Sequence, residues 1–391
     1  MLPKISQATT AKTRNHWKLI LSQSLGNANA YILVNGVLSA IGTNANPIYI
    51  NGGIGGVSFI GPAYYSSITF SISSTGWNDA TGSGSIIENA ILNLTEIDTS
   101  SSVKISNDII INGEMSILGG SPLIYGNSIS SLVYIKGGNC SVSNNQIASG
   151  FILYSGEDGG EGATITNNVI SDAQSVSGFR DGIWFSGEAS GHVLIENNLI
   201  SDNYYGIQIF SPNVDIMPTT LTIQNNTITN NNVGISVSNS YMPTIIENNL
   251  QNNTLNIQLT TDYSGHSKDV DASNNWWGTT DTQAINQTIY DFKDDFTLGV
   301  VTFVPFLTAP NPEAMSNLNA PIPTPTSTQS PSQSSTTTST STPTSSSSPS
   351  ASQSQQSTAS LPLELIVAAV VIVIIAVAIG AFLLGKRTGQ K

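Results

Sequence analysis

Apolar residues recur through the middle of the chain in one hexapeptide, apolar-x-Asn-Asn-x-apolar. It reads Val142-Ser-Asn-Asn-Gln-Ile147, Ile165-Thr-Asn-Asn-Val-Ile170, Ile195-Glu-Asn-Asn-Leu-Ile200 and Ile223-Gln-Asn-Asn-Thr-Ile228. Weaker copies open at Ile87, Ile105 and Ile124, and two more follow as Ile246-Glu-Asn-Asn-Leu-Gln251 and Ala272-Ser-Asn-Asn-Trp-Trp277. A second element trails several copies: Asp181-Gly-Ile-Trp-Phe185, Tyr205-Gly-Ile-Gln-Ile209, Val233-Gly-Ile-Ser-Val237 and Leu255-Asn-Ile-Gln-Leu259. Short runs of period 2 broken by Asn or Gly are strands and turns, and a repeat of roughly 18 to 30 residues fits one coil of a β-solenoid. Asn and Gly sit at the turns because both accept left-handed backbone at little cost.

Stacked coils bring equivalent asparagines together, so the Asn-Asn pairs are expected to form amide ladders. Asn197 and Asn225 are taken as ladder members. The early coils run about 18 or 19 residues and those after Val142 roughly 23 to 30, and insertions in a solenoid gather on one face. The open coil at each end needs covering. Towards the C-terminus Ile285, Ile289 and Phe292 fall at helical spacing behind Asp281, which predicts a short amphipathic helix with Asp281 as N-cap, closing the last coil. Trp276 and Trp277 read as packing under that lid, with sugar stacking as the sharper alternative.

The recurring Ile-x-Asn-Asn-x-Ile with Gly-Ile-x-Ile resembles the parallel β-helix repeat family, which includes NosD-like periplasmic proteins and carbohydrate-binding and sugar-hydrolase domains. Asn274-Asn-Trp-Trp-Gly278 through Val300-Val-Thr-Phe-Val-Pro-Phe306 is similar to the close of many surface β-helix proteins, and Leu33 to Gly42 with Asn46-Pro-Ile-Tyr-Ile50 to their opening coils. The resemblance implies an all-β fold, a right-handed single-stranded parallel β-helix. It says little of activity, since the same coil serves lyases, hydrolases, epimerases and spacers.

Composition adds a surface without charge. Charged residues are 9% of the chain, against about 25% in an average domain, so Asn, Ser, Thr and Gly must cover the outside. The net charge of −13 leaves no basic stripe for phosphate, so nucleic acid is not expected as a partner. Cys140 stands alone and alternates with Val142, so it is expected as a buried apolar group.

The organisation follows from composition shifts. Residues 1–30 form an N-terminal segment that reads as a truncated cap, 31–277 the β-helix and 278–308 its C-terminal cap. A Ser/Thr/Pro-rich stalk covers 309–362, a transmembrane helix 363–385 and a cytoplasmic tail 386–391. The stalk cannot bury enough apolar surface to fold. The run Leu365 to Leu384 is uncharged and long enough to cross a bilayer. Lys386, Arg387 and Lys391 behind it place the C-terminus inside and the β-helix outside. Residues 1–30 carry no adequate apolar stretch for export, so a signal upstream of this chain is expected. A tail-anchored cytosolic protein is the rival arrangement; the stalk and the Asn-x-Ser/Thr sites at Asn93, Asn139, Asn252 and Asn286 speak against it.

Candidate chemistry lies in the longer coils. Asp172, Arg180, Asp181, Glu188, His192 and Asp202 are the candidate catalytic residues. Arg180 would neutralise a uronate carboxylate while Asp181 or Asp172 acts as base. The plainer reading is a surface ion pair between Arg180 and Asp181. Glu157, Asp158 and Glu161 are candidates for calcium, without an EF-hand or nonapeptide pattern. The three histidines are too scattered for zinc or copper, and no other cofactor is implied. The function expected is a surface-anchored β-helix, structural or carbohydrate-binding. The alternative is a polysaccharide lyase or glycoside hydrolase acting on acidic polysaccharide.

Overall fold

The computed structural model describes residues 30–314 apart from the segments 52–53, 58–61, 65, 149–150, 155–161, 174–179, 187–190, 211–218, 239–241, 262–264 and 266. It also describes two short strands, Thr9–Thr13 and His16–Ile20. The proposed span and tail, and the stalk beyond residue 314, lie outside the described residues. Among those described, no helix is long and apolar enough to cross a membrane.

Each coil contributes up to three short parallel strands to three sheets. Sheet I holds nine, from Ser39–Ile41 to Thr244–Ile246. Sheet II includes His16–Ile20, paired parallel with Ile48–Asn51, and then Val169–Ser171, Leu199–Ser201 and Thr227–Thr229. Sheet III runs from Ala30–Val34 through Glu96–Thr99, Asp181–Ser186 and Tyr205–Phe210 to Ile289–Tyr290. Ile109–Ile117 and Ser128–Ile135 cross the corner between sheets II and III, joining them into one sheet. At an inter-strand spacing of about 4.8 Å, the nine strands of sheet I make a rod of about 40 Å.

The hexapeptide explains the corner between sheets I and II. Its first apolar residue points inward from sheet I and its last from sheet II, so Ile165 and Ile170, like Ile195 and Ile200, are fully buried. The first Asn turns the chain, with φ of 57° at Asn167 and 54° at Asn197 and Asn225. The second Asn points inward and carries the ladder. The backbone N–H and Nδ2 of Asn168 both donate to Oδ1 of Asn198, 2.9 and 3.0 Å, while Nδ2 also reaches Val142 O at 2.9 Å. The same pattern joins Asn127, Asn145, Asn168, Asn198, Asn226, Asn248 and Asn275.

Two expectations need correction. Asn197 and Asn225 are not ladder members: they are the turn residues, and the amide of Asn225 instead accepts from Asn311 Nδ2 at 2.9 Å. The copy opening at Ile246 is also displaced by one position. Register pairs Ile223 with Ile245, so Glu247 takes the turn at φ 59° and Asn248 the ladder.

A second ladder at the corner between sheets II and III links Asn203, Asn231 and Asn253, and ends on Asn256. Cys140 is fully buried and its thiol is pushed up to about 12 by burial. Asp281 accepts from the N–H groups of Gln283 and Ala284 and so caps helix α1, Thr282–Gln287. The expected helical stripe is cut short: the helix ends at Gln287 with Ile285 buried in it, Ile289 is buried in the strand Ile289–Tyr290, and Phe292 is 45% exposed and packs edge-on against Phe296. Asp281→Ala should lower stability by about 1 kcal/mol, seen as a reduced denaturant midpoint; no change would mean the cap is not needed.

Trp277 lies in the core, edge-on to Phe303, and Trp276 Nε1 donates to Gln251 Oε1. Burial of Trp277 rules it out as a sugar platform. Beyond them the chain turns back along the rod. Leu307 N–H donates to Asn275 O, and Asn311 pairs amide to backbone with Asn249, 2.7 and 3.1 Å.

Candidate functional site

Sequence reasoning pointed to the longer coils, and the structure spreads those residues over separate positions. Asp172 and Asp202 follow the paired Ser171 and Ser201 on successive coils, and both hold left-handed backbone, φ 54° and 61°. Asn230 and Asn252 hold φ 58° and 59° at the corresponding turns after Thr229 and Gln251, so the two aspartates occupy a turn position the fold needs in every coil. Arg180 is exposed, and its backbone carbonyl accepts from Tyr204 N–H. Asp181 is 1% exposed, its Oδ1 has no hydrogen-bond partner, and burial pushes its carboxyl up to about 7. The expected Arg180–Asp181 surface ion pair is therefore not formed: the arginine stays at the surface and the carboxyl turns in. His192 is exposed and shares a 2.7 Å hydrogen bond with Thr220 on the next coil. Glu188, Glu157, Asp158 and Glu161 lie outside the described residues. Among those described, no cluster of potential ligands is able to hold a metal ion.

A different constellation lies on the outer face of sheet III. Ile97, Met115 and Val133 point inward on three consecutive coils. Period 2 then sends Glu96 and Asp98 outward, with Glu114 and Ser116 above them and Leu132 and Tyr134 above those. Glu96 pairs in register with Glu114, and Asp98 with Ser116. Thr69 on the preceding coil donates its hydroxyl to Asp98 at 3.3 Å, and Ser116 donates to Glu114 at 3.2 Å.

The three carboxylates face away from the core yet stand recessed, and this sets their electrostatics. Burial pushes Glu96 up to about 7, and its neighbours Asp98 and Glu114 add to the rise. Asp98 and Glu114 are also raised by burial, each held back by its hydroxyl donor. Lys136 lowers all three from the edge of the group. Its ammonium lies 4.6 Å from the Tyr134 ring centroid. Farther along the register column of Tyr134 stands Trp184, two coils on and outward between the buried Ile183 and Phe185.

Sequence reasoning missed this group because no one stretch contains it. The signal was present: Glu96-x-Asp98 and Glu114-x-Ser116 are period-2 pairs one 18-residue coil apart. That is the spacing by which Gly113 and Ser131 hydrogen bond across neighbouring coils.

Chemically the face offers carboxylates that accept from sugar hydroxyls; the Tyr134 ring beside them is buried, and the partly exposed aromatic ring of this column is Trp184, two coils on. The face lacks a basic cluster that would hold a phosphate or a uronate. No curated protein and no solved structure matches the chain. A model described as the right-handed β-helix region matches residues 44–255, more than half of the 391 residues. With three parallel sheets, inward apolar columns and asparagine ladders already in place, the chain belongs to the right-handed β-helix family.

Proposed function

We propose that the protein is a surface-anchored β-helix that binds neutral polysaccharide along the outer face of sheet III, with the apolar run at 363–385 as its anchor. The observation that carries this reading is the recessed row of Glu96, Asp98 and Glu114 on adjacent coils of one face. Carboxylates accept hydrogen bonds from vicinal hydroxyls, and each such charged bond is worth about 1.5–3 kcal/mol. Three carboxylates against one lysine repel uronates, so the ligand is neutral rather than acidic. The coil repeat sets one polar row per strand, which suits a polymer lying along the rod axis. On this reading helix α1 serves as the cover of the last coil, which an open solenoid end needs.

The test is binding of the full chain to a panel of neutral and acidic polysaccharides by calorimetry. The double variant Glu96→Gln, Glu114→Gln should bind at least about tenfold more weakly, a loss of about 1.4 kcal/mol. Equal affinity in that variant, or binding confined to acidic polymers, would overturn the reading.

One observation favours hydrolysis as a second reading. Glu96 is held up at about 7 beside carboxyls in different environments, and pairs of carboxyls pushed apart in this way act as acid and base in glycoside cleavage. The same panel scored for new reducing ends decides it: Glu96→Gln abolishes release if Glu96 is the acid. No release by the unaltered protein leaves binding alone.

A further inference from the structure

The asparagine ladder has one member that is not an asparagine. Asp108 stands at the ladder position on the coil before Asn127, and it is 1% exposed. Its Oδ1 accepts from Ala90 N–H at 2.7 Å and its backbone N–H donates to Asn127 Oδ1 at 2.9 Å, so it occupies the place of an amide in both directions. Its Oδ2 is buried without a partner.

On every later coil that second atom is an NH2 group. Asn127 Nδ2 donates to Ile105 O at 3.0 Å and to Asn145 Oδ1 at 3.0 Å. By the same register Oδ2 of Asp108 stands towards Ile87 O and Asn127 Oδ1, and both of these are acceptors. An ionised carboxylate there would set bare oxygens against each other in a water-free corner, whereas a carboxylic acid supplies the missing donor.

We propose that Asp108 is carried as a neutral carboxylic acid whose hydroxyl completes the ladder, which makes the N-terminal coils spanning residues 86–125 a lock that tightens in acid and loosens in base. Loosening breaks no covalent bond. The proton leaves Oδ2 for solvent, the ladder loses one donor, and a bare carboxylate oxygen is left facing the acceptors Ile87 O and Asn127 Oδ1, while the Ala90 N–H bond to Oδ1 remains.

The surroundings give the ionised form no counterion. Burial is the largest cause that disfavours ionisation of Asp108, and the backbone N–H bonds from Ala90 and Ser106 oppose it. Glu88, on the preceding strand of sheet I, is the charged group acting on Asp108 and disfavours ionisation further. The Glu88 Oε1 atom is itself engaged by the Ser106 hydroxyl and the Asn107 amide. Lys104, on the strand leading into Asp108, directs its ammonium to Asp79 and the Trp77 ring. Tyr125 on the following coil is the titratable group of that strand, and the strand Ala90–Asn93 has none. The carboxyl of Asp108 is raised well above its ordinary value of 3.8.

The sign follows from proton counting. The folded state keeps a proton that the unfolded chain has released, so the stabilisation is complete below the ordinary carboxylate range. It drains away as pH rises through that range towards the raised folded value. One such proton lowers the folding equilibrium constant about tenfold per pH unit.

The experiment is denaturant unfolding of the full chain between about pH 5 and about pH 8, with hydrogen exchange to locate the opening. Asp108→Asn should fold, be more stable than the parent at the upper end, and lose about one proton from the slope of stability against pH. Asn127→Asp should gain about one. Exchange in the parent should rise first over residues 86–125 as pH rises. An Asp108→Asn chain that is less stable at the upper end, keeps the parent slope or fails to fold would overturn the proposal. An Asn127→Asp chain with the parent slope would overturn it too, since the same carboxyl in the same ladder would then titrate freely.

Discussion

Asn198→Ala is expected to lower stability by about 3–5 kcal/mol, read from chemical denaturation of the full chain. The side chain is fully buried and makes four hydrogen bonds. Its Oδ1 accepts from the N–H and Nδ2 of Asn168, and its Nδ2 donates to Ile165 O at 2.8 Å and Asn226 Oδ1 at 3.0 Å. Truncation leaves the Asn168 N–H and the Ile165 carbonyl without those partners, each at about 1–3 kcal/mol. A cavity in a corner one side chain wide adds to this, because neighbouring coils are fixed in register and cannot close over it. The adjacent Asn197 is the control. It holds φ 54° and lies outside the ladder, so Asn197→Ala is limited to left-handed strain of about 1–2 kcal/mol, and Asn197→Gly should be nearly neutral. Equal losses at 197 and 198 would mean that turn strain, not the ladder, holds this corner.

That contrast marks how far the sequence could be read. The repeat, its strands and the corner at Asn-Asn follow from spacing alone, because period-2 apolar residues and turn formers recur at every coil. Which Asn of each pair faces inward does not follow, since both are the same residue and only backbone geometry separates the turn from the ladder. Glu247 shows the same limit: with a glutamate in the turn position, the following Asn248-Asn249 pair mimics the motif one place beyond the true register. The second ladder through Asn203, Asn231 and Asn253 escaped because its flanking residues vary from Asp to Asn.

The site was less legible than the fold. The acidic residues of the long coils lie near Arg180 in sequence, and that linear proximity predicts a meeting that the fold does not make. In a solenoid, neighbours in space are one coil apart in sequence, so Glu96 meets Glu114 while Asp181 lies in register with Tyr205. Burial also sorts groups that the sequence treats alike. Asp181 turns into the wall and Arg180 stays out, although they are adjacent.

The second large effect concerns a glycine. In sheet III the element Gly-Ile repeats at Gly182, Gly206 and Gly234 and then becomes Asn256-Ile257. The backbone of Gly206 is not left-handed, so its need for glycine is one of space. A Cβ there would lie 2.7 Å from Gly234 O and 3.0 Å from Asn231 Nδ2, and both are fixed, the first as backbone and the second as a ladder amide. Gly206→Ala must therefore push two coils apart or displace Asn231 from Asn253. Forcing atoms into such a corner costs about 1–3 kcal/mol, and a displaced ladder amide adds about 1–3 more. At Asn256 the ladder stops. The Asn256 side chain accepts from Asn253 Nδ2 and donates to Thr288 Oγ1 at 3.0 Å, beside helix α1. Asn256→Gly should accordingly lose those two hydrogen bonds, at about 1 kcal/mol each. Glycine is thus favoured where another ladder coil follows and disfavoured where none does. Denaturation midpoints of the two variants give the check: a Gly206→Ala protein as stable as the parent would show that the coils can separate without loss, and the close-approach account of the Gly-Ile repeat would fail.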